Sequence, residues 1–189
     1  MNMNDYHKLK EIFSCKNDTL HQVYLKRLVH PIANSGCNKE LMEVRTLIKN
    51  NVAESELKNK ILGLYDIFAT IMPGMQAPDV QIKDKTGSTY TSSQFRGKVL
   101  VMDVWATWCS SCLKNMPAFM ELKNEFKEKE NIEFVTVSTD SEDKKEKWLA
   151  AVNKHKMEGM LNLMPDRSVA GTFEEKYNVS GVPRYIVID

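Results

Sequence analysis

The residues best suited to do chemistry in this sequence are Cys109 and Cys112, set in the run Trp108-Cys109-Ser110-Ser111-Cys112. An apolar run precedes them and a helical pattern follows. Cys109 therefore falls at the start of a helix, where unpaired backbone N–H groups and the positive end of the helix dipole stabilise a thiolate. That makes Cys109 the expected nucleophile. Cys112 follows about one turn later, near enough for its sulfur to meet that of Cys109, close a disulfide and resolve a mixed disulfide with a substrate. Such a redox-active disulfide, Cys109 with Cys112, is a two-electron switch that calls for no cofactor. A C-x-x-C alone is also half of a structural zinc site. The other half is missing: Cys15 and Cys37 are isolated, and His155 is the one histidine of four in the same half of the chain. No metal site is expected, and four cysteines are too few for a stapled scaffold.

The elements that must position this pair follow from periodicity. Lys98 to Trp105 reads as a strand buried on both faces and Ile132 to Thr139 as a second. Between them Cys109 to about Glu130 carries Leu113, Met116, Phe119, Met120 and Phe126 at helical spacing. A strand, helix, strand unit of this kind implies a parallel pair. Upstream, Val80 to Ile82 and Ser88 to Thr91 flank the turn-rich Asp84 to Gly87 and predict a hairpin. Downstream, Asp140-Ser141 is expected to cap a helix carrying Trp148, Leu149 and Val152. A short helix around Ser168 to Tyr177 then leads to Gly181-Val182-Pro183 and a last apolar run, Tyr185 to Ile188.

Before Met72-Pro73-Gly74 the pattern is helical throughout. Expected helices are Tyr6 to Phe13, Thr19 to about Val29, Lys39 to Ile48 and Glu54 to Ile71, with Pro31 to Gly36 as a breaker. Leu57, Ile61, Leu64, Ile67 and Phe68 form an apolar stripe on the last of them. The organisation expected is thus a helical region, residues 1–73, and a second domain, residues 74–189.

Composition narrows the class. Of 189 residues, 42% are hydrophobic and 27% charged, which is ordinary for a globular chain, and 26 Lys and Arg nearly cancel 25 Asp and Glu. No net field gathers nucleic acid or coats an anionic membrane. The longest apolar runs are far too short to span a bilayer, and the opening residues lack a basic-then-apolar signal pattern.

Taken together, Val99 to Cys112, Met116-Pro117, Gly181-Val182-Pro183, Phe95-Arg96-Gly97-Lys98 and Ala77-Pro78-Asp79 resemble the TlpA/ResA-like branch of the thioredoxin superfamily over about residues 74 to 189. The resemblance implies an α/β thioredoxin-like fold, a central mixed sheet flanked by helices, here preceded by the all-helical region. It also implies a thiol-disulfide oxidoreductase of the bacterial periplasm or cell envelope. Protein thiols or disulfides would be its substrates, and an upstream protein its electron donor. Relatives continue past the proline strand with a further strand and a helix that this chain, ending at Asp189, is expected to lack, with the Leu57 to Phe68 stripe as the surface that would cover the sheet instead.

By the same resemblance Cys109 matches the attacking cysteine, Cys112 the resolving one and Pro183 a cis-proline whose loop lies beside the disulfide. Val182, held extended before it, would offer backbone groups to a bound substrate strand. On composition alone Pro183 reads more commonly as a strand-start proline. Asp103 matches the buried acid that some thioredoxins place behind the pair, poised to take the proton of Cys112, and it also reads as a strand-edge acid bonded to backbone. Trp108 should shield the disulfide and meet substrate, although such tryptophans more often serve as rim packing. Pro117 should kink the helix beyond the redox site.

Two departures stand out. Asn115 sits where many relatives carry glutamate, and Ser110-Ser111 lacks both proline and histidine, which points to a reducing or intermediate potential. Two rivals remain at this level. A peroxiredoxin-like peroxidase would need a lone cysteine, whereas here Cys112 partners Cys109. A partner-binding module on the same scaffold would survive loss of Cys109.

Overall fold

The computed structural model describes the backbone of residues 3–35 and 39–189 and the side chains of residues 6–28, 40 and 42–189. The contacts divide the chain into two compact units, residues 1–77 and 78–189.

In the first unit the described residues form four helices: α1 (Met3–Ser14), α2 (Asp18–Ser35), α3 (Lys39–Asn51) and α4 (Glu56–Ala69). α1 packs on α3, and α4 packs on both α2 and α3. Phe13, Leu25, Val44, Ile48, Ile61, Tyr65 and Phe68 form the core where these helices meet. Ile61 and Phe68 of the α4 stripe are taken up here, Leu57 and Leu64 pack at its margin, and Ile67 is exposed. Ser55 caps α4 by accepting from the backbone N–H of Lys58 at 3.2 Å. One expectation needs correcting: α2 does not stop near Val29 but runs through Pro31 to Ser35. A proline removes one intrahelical N–H, and a helix of several turns keeps the rest of its ladder.

The second unit holds one six-stranded mixed sheet in the order β2-β1-β5-β4-β3-β6. Its strands are β1 (Gln81–Asp84), β2 (Thr89–Thr91), β3 (Val99–Trp105), β4 (Ile132–Ser138), β5 (Leu161–Pro165) and β6 (Arg184–Ile188). β1 and β2 make the expected hairpin. Gly87 closes its turn with φ of 89°, and the Asp84 carboxylate accepts from the N–H groups of Thr86 and Ser88. β3, β4 and β5 are parallel, joined by α5 (Ser110–Glu125) and α6 (Lys145–Lys154), while β6 returns antiparallel to β3. A short α7 (Phe173–Lys176) precedes β6 and is closed by a capping box between Thr172 and Glu175.

β3 is buried on both faces, as a run that is apolar but for Asp103 requires. Side chains alternate along it, so Val101, Asp103 and Trp105 share one face with Phe134, Thr136 and Ser138 of β4, their register partners. Trp105 and Phe134 belong to a core completed by Cys112, Met116 and Phe119 of α5 and by Trp148 and Val152 of α6. Burying an aromatic of this size contributes about 3 kcal/mol, so the redox helix is anchored mainly by these rings.

Three details depart from the sequence reading. α5 ends at Glu125 rather than near Glu130, with Phe126 as its C-cap and its ring turned toward Phe134. Ser141 opens a single 3₁₀ turn before α6, and Asp140 is not a cap at all. β5 had no counterpart in the periodicity: its Asn162 is a poor strand residue, held by Thr136 Oγ1 and by the carbonyls of Met157 and Met160 at 2.8 Å each.

Candidate active site

The two cysteines sit where β3 gives way to α5. Ala106 to Cys109 form a turn closed by the Cys109 N–H donating to the Ala106 carbonyl at 3.0 Å. Cys109 is the N-cap of α5, its backbone still extended (φ −87°, ψ 94°), and its sulfur accepts from the N–H of Cys112 at 3.2 Å. A sulfur in that position meets the free N–H groups and the positive end of the helix, which favour its thiolate. The Ser111 hydroxyl lies 3.4 Å away. Cys109 and Cys112 are joined as a disulfide with Cα atoms 5.3 Å apart. Cys109 is 5% exposed and Cys112 not at all, so an attacking group reaches the first sulfur before the second.

Trp108 stands beside the pair with 66% of its surface in water, a large apolar ring that the fold does not use. Val182, half-buried, packs against the core that contains both cysteines, and the Val182–Pro183 peptide is cis. Tertiary structure thus brings a segment some seventy residues downstream to the core that holds the disulfide. Asn115, one turn after Cys112 in α5, is exposed, and the ring of Tyr185 on β6 stacks on Phe119 of the same helix.

Asp103 lies on the α5-facing side of β3, opposite Tyr185 in the register, and is fully buried. Neither carboxylate oxygen has a hydrogen-bond partner. Burial therefore pushes its pKa up from 3.8 to about 7, since a lone charge there is poorly solvated. Asp103 in turn raises the pKa of the Tyr185 phenol, second to that ring's own burial. A carboxyl that changes protonation near neutrality can hold or release one proton at this depth.

A second buried acid escaped the sequence reading. The Asp140 carboxylate turns back toward the cysteine loop, where Oδ2 accepts from the Thr107 N–H at 2.8 Å and the Ser138 hydroxyl at 2.7 Å, and Oδ1 from the Thr107 hydroxyl at 2.8 Å. The Arg167 guanidinium donates to the carbonyls of Asp140 and Thr139, at 3.0 and 3.3 Å, and pairs with Glu174 of α7. The sequence did hold one sign of this, an acid directly after the carboxyl end of a buried parallel strand, where the loops of α/β sheets gather.

Cys15 is a half-buried free thiol donating to the Ile12 carbonyl at 3.0 Å, and Cys37 lies outside the described residues. Among the described residues no cluster of three or more His, Cys, Asp or Glu could hold a metal, and no helix is long and apolar enough to cross a membrane.

A family model described as Redoxin matches residues 72–189. The chain is similar to the thioredoxin-like protein YneN of Bacillus subtilis, 36% identical over 81 residues that cover 43% of this chain and 46% of YneN. It is similar to the thiol-disulfide oxidoreductase ResA of Bacillus anthracis, 28% identical over 116 residues, 61% of this chain and 63% of that one. The match thus spans less than two thirds of the length of these relatives. Among solved structures, a putative thiol-disulfide oxidoreductase from Bacteroides vulgatus aligns with TM-score 0.55 and 31% identity, covering 64% of this chain and 81% of the other. A putative thiol:disulfide interchange protein DsbE from Chlorobium tepidum aligns with TM-score 0.51 and 25% identity, covering 60% and 75%.

Proposed function

The chain belongs to the redoxin family, its TlpA/ResA-like thioredoxin fold carrying Cys109 and Cys112 at the head of α5, and on that premise we propose that the pair exchanges dithiol for disulfide with protein substrates as a reductant in the bacterial cell envelope. The observation that carries this reading is the Cys109 sulfur at the helix N-cap, bonded to Cys112 and flanked by the unused Trp108 ring.

The cycle balances without a cofactor. In the dithiol form the Cys109 thiolate attacks one sulfur of a substrate disulfide; a mixed disulfide forms and the other substrate sulfur leaves as a thiolate. Cys112 gives up its proton and attacks the Cys109 sulfur, which releases the second substrate thiolate and closes the Cys109–Cys112 disulfide. Asp103 is the base for that proton, a role its burial and raised pKa suit. The substrate gains two electrons and the protein loses two, which an upstream dithiol protein restores by the reverse exchange. Val182 and Pro183 line the approach with Trp108, and the backbone of Val182 is the group placed to pair with an extended substrate segment. The helical region, residues 1–73, precedes the catalytic domain, residues 74–189, in this reading. The envelope location rests on the resemblance to the TlpA/ResA-like branch.

The test is insulin disulfide reduction by the full chain with dithiothreitol as donor. Cys109→Ser should abolish it, and Cys112→Ser should accumulate mixed disulfides that mass spectrometry assigns to Cys109. Undiminished reduction by Cys109→Ser would remove the proposal.

A further inference from the structure

The second unit contains two buried acids near the cysteine loop, and their surroundings are opposite. Asp103 has no donor on either oxygen, whereas Asp140 has a donor on every oxygen that faces the protein. Three donors occupy three of its roughly four acceptor sites, and none of them is a thiol. Asp140 has instead a mechanical connection to the nucleophile. Its main partner, Thr107, is a central residue of the Ala106–Cys109 turn and gives up both its N–H and its hydroxyl to Asp140. From the other side, Arg167 fixes the Asp140 carbonyl and is itself paired with Glu174 of α7, the helix that leads toward Val182 and Pro183. The chain on which Cys109 is mounted is thus held to the end of β4 across 33 residues of sequence.

We propose that Asp140 is a positioning residue for the Cys109 thiol, its buried carboxylate holding the Ala106–Cys109 turn so that the sulfur stays at the N-terminus of α5. This rests on the reading of Cys109 as the attacking sulfur. In the dithiol form nothing covalent keeps Cys109 beside Cys112, and the hold on Thr107 supplies that constraint. Releasing it gives the dithiol form more freedom than the disulfide form, so the disulfide becomes the weaker partner in exchange. It also blurs the alignment between the thiolate and the helix N–H groups on which rapid attack depends.

Two substitutions separate positioning from charge and from bulk stability. Asp140→Asn keeps the shape: its carbonyl can accept from the Thr107 N–H and the Ser138 hydroxyl, and its NH₂ can donate to the Thr107 hydroxyl. Asp140→Ala removes every contact. The full chain is equilibrated with reduced and oxidised glutathione, and the rate of substrate disulfide reduction is measured alongside the unfolding midpoint. In Asp140→Ala the equilibrium constant for closing the Cys109–Cys112 disulfide is expected to fall about tenfold, equal to about 30 mV, with the rate falling by at least a similar factor. Asp140→Asn should recover most of both. Thr107→Val, which loses the hydroxyl contact and keeps the N–H, should move both in the same direction by less, and it carries the test alone if Asp140→Ala does not fold.

A lowered unfolding midpoint in Asp140→Ala or Thr107→Val with both redox readouts unchanged would reduce Asp140 to a structural residue and overturn the proposal. Equal displacement in Asn and Ala variants would also overturn it, since the charge would then be what matters. Cys109→Ser serves as the control: if it still reduces substrate, the reading of the site fails; if it is inactive while the Asp140 variants match the parent protein, only this inference fails.

Discussion

Replacing Asp103 by asparagine should stabilise the protein, and more so as pH rises. In the folded chain the carboxyl has a pKa of about 7 against an ordinary 3.8, because it is buried with no hydrogen-bond donor for its charge. The folded pKa lies above the unfolded one, so the unfolded chain sheds this proton first, and stability falls as pH climbs from about 4 to about 7 and is level beyond. At 1.36 kcal/mol per unit, a displacement of about three units costs about 4 kcal/mol by pH 8, of which about 1.6 kcal/mol is already lost at pH 5. Asparagine carries no charge and escapes the whole of it. Relative to the parent, Asp103→Asn should therefore gain about 2.5 kcal/mol between pH 5 and pH 8, measured by urea unfolding of the disulfide form with a common m-value. The same variant should slow release of a mixed disulfide by Cys112 about tenfold or more at pH 7, since a base has been removed. A stability difference between the two proteins that stays constant from pH 5 to pH 8 would refute the account of Asp103 as a lone buried acid.

Three further outcomes follow from the same geometry. Alkylation of the reduced protein at pH 6, mapped by peptide mass spectrometry, should modify Cys109 well before Cys112, because Cys109 is the helix cap and Cys112 is sealed; the opposite order would contradict the assignment of nucleophile. Trp108→Ala should leave the unfolding free energy within about 0.5 kcal/mol, yet lower kcat/KM toward a protein disulfide about tenfold, since the ring is exposed in the free protein and would be covered only by substrate. Ile61→Ala, at the centre of the helical core, should cost about 2–5 kcal/mol, read as a lowered denaturation midpoint of the helical unit; a loss below about 1 kcal/mol would mean the α4 stripe is not the seam of that core.

What the sequence alone made legible about this protein is what physical chemistry decides within a few residues. The Cys109 position at the start of α5 follows from where an apolar run gives way to a helical one, and the two parallel strands follow from Val-rich runs on either side of a crossover helix. The hairpin follows from its turn residues, and the site at Cys109 and Cys112 from their spacing. Of the α4 stripe Ile61 and Phe68 are buried while Ile67 is exposed, and periodicity did not show that the first two would close a core with Phe13, Leu25 and Val44.

Tertiary structure decided everything that depends on partners far along the chain. β5 lies between β4 and β1 although Asn162 argues against a strand, because Thr136 and two backbone carbonyls occupy its amide. Asp140 has the local look of a helix cap, yet its carboxylate finds denser donors at Thr107, 33 residues away in sequence, than at the turn that follows it. Asp103 could be a bonded edge acid or a bare core acid; β6 pairing on one side of β3 and β4 on the other enclosed it without supplying a donor. Burial and hydrogen-bond satisfaction are properties of the surroundings, so the protonation of Asp103 and the constraint on Cys109 belong to the fold rather than to the local sequence.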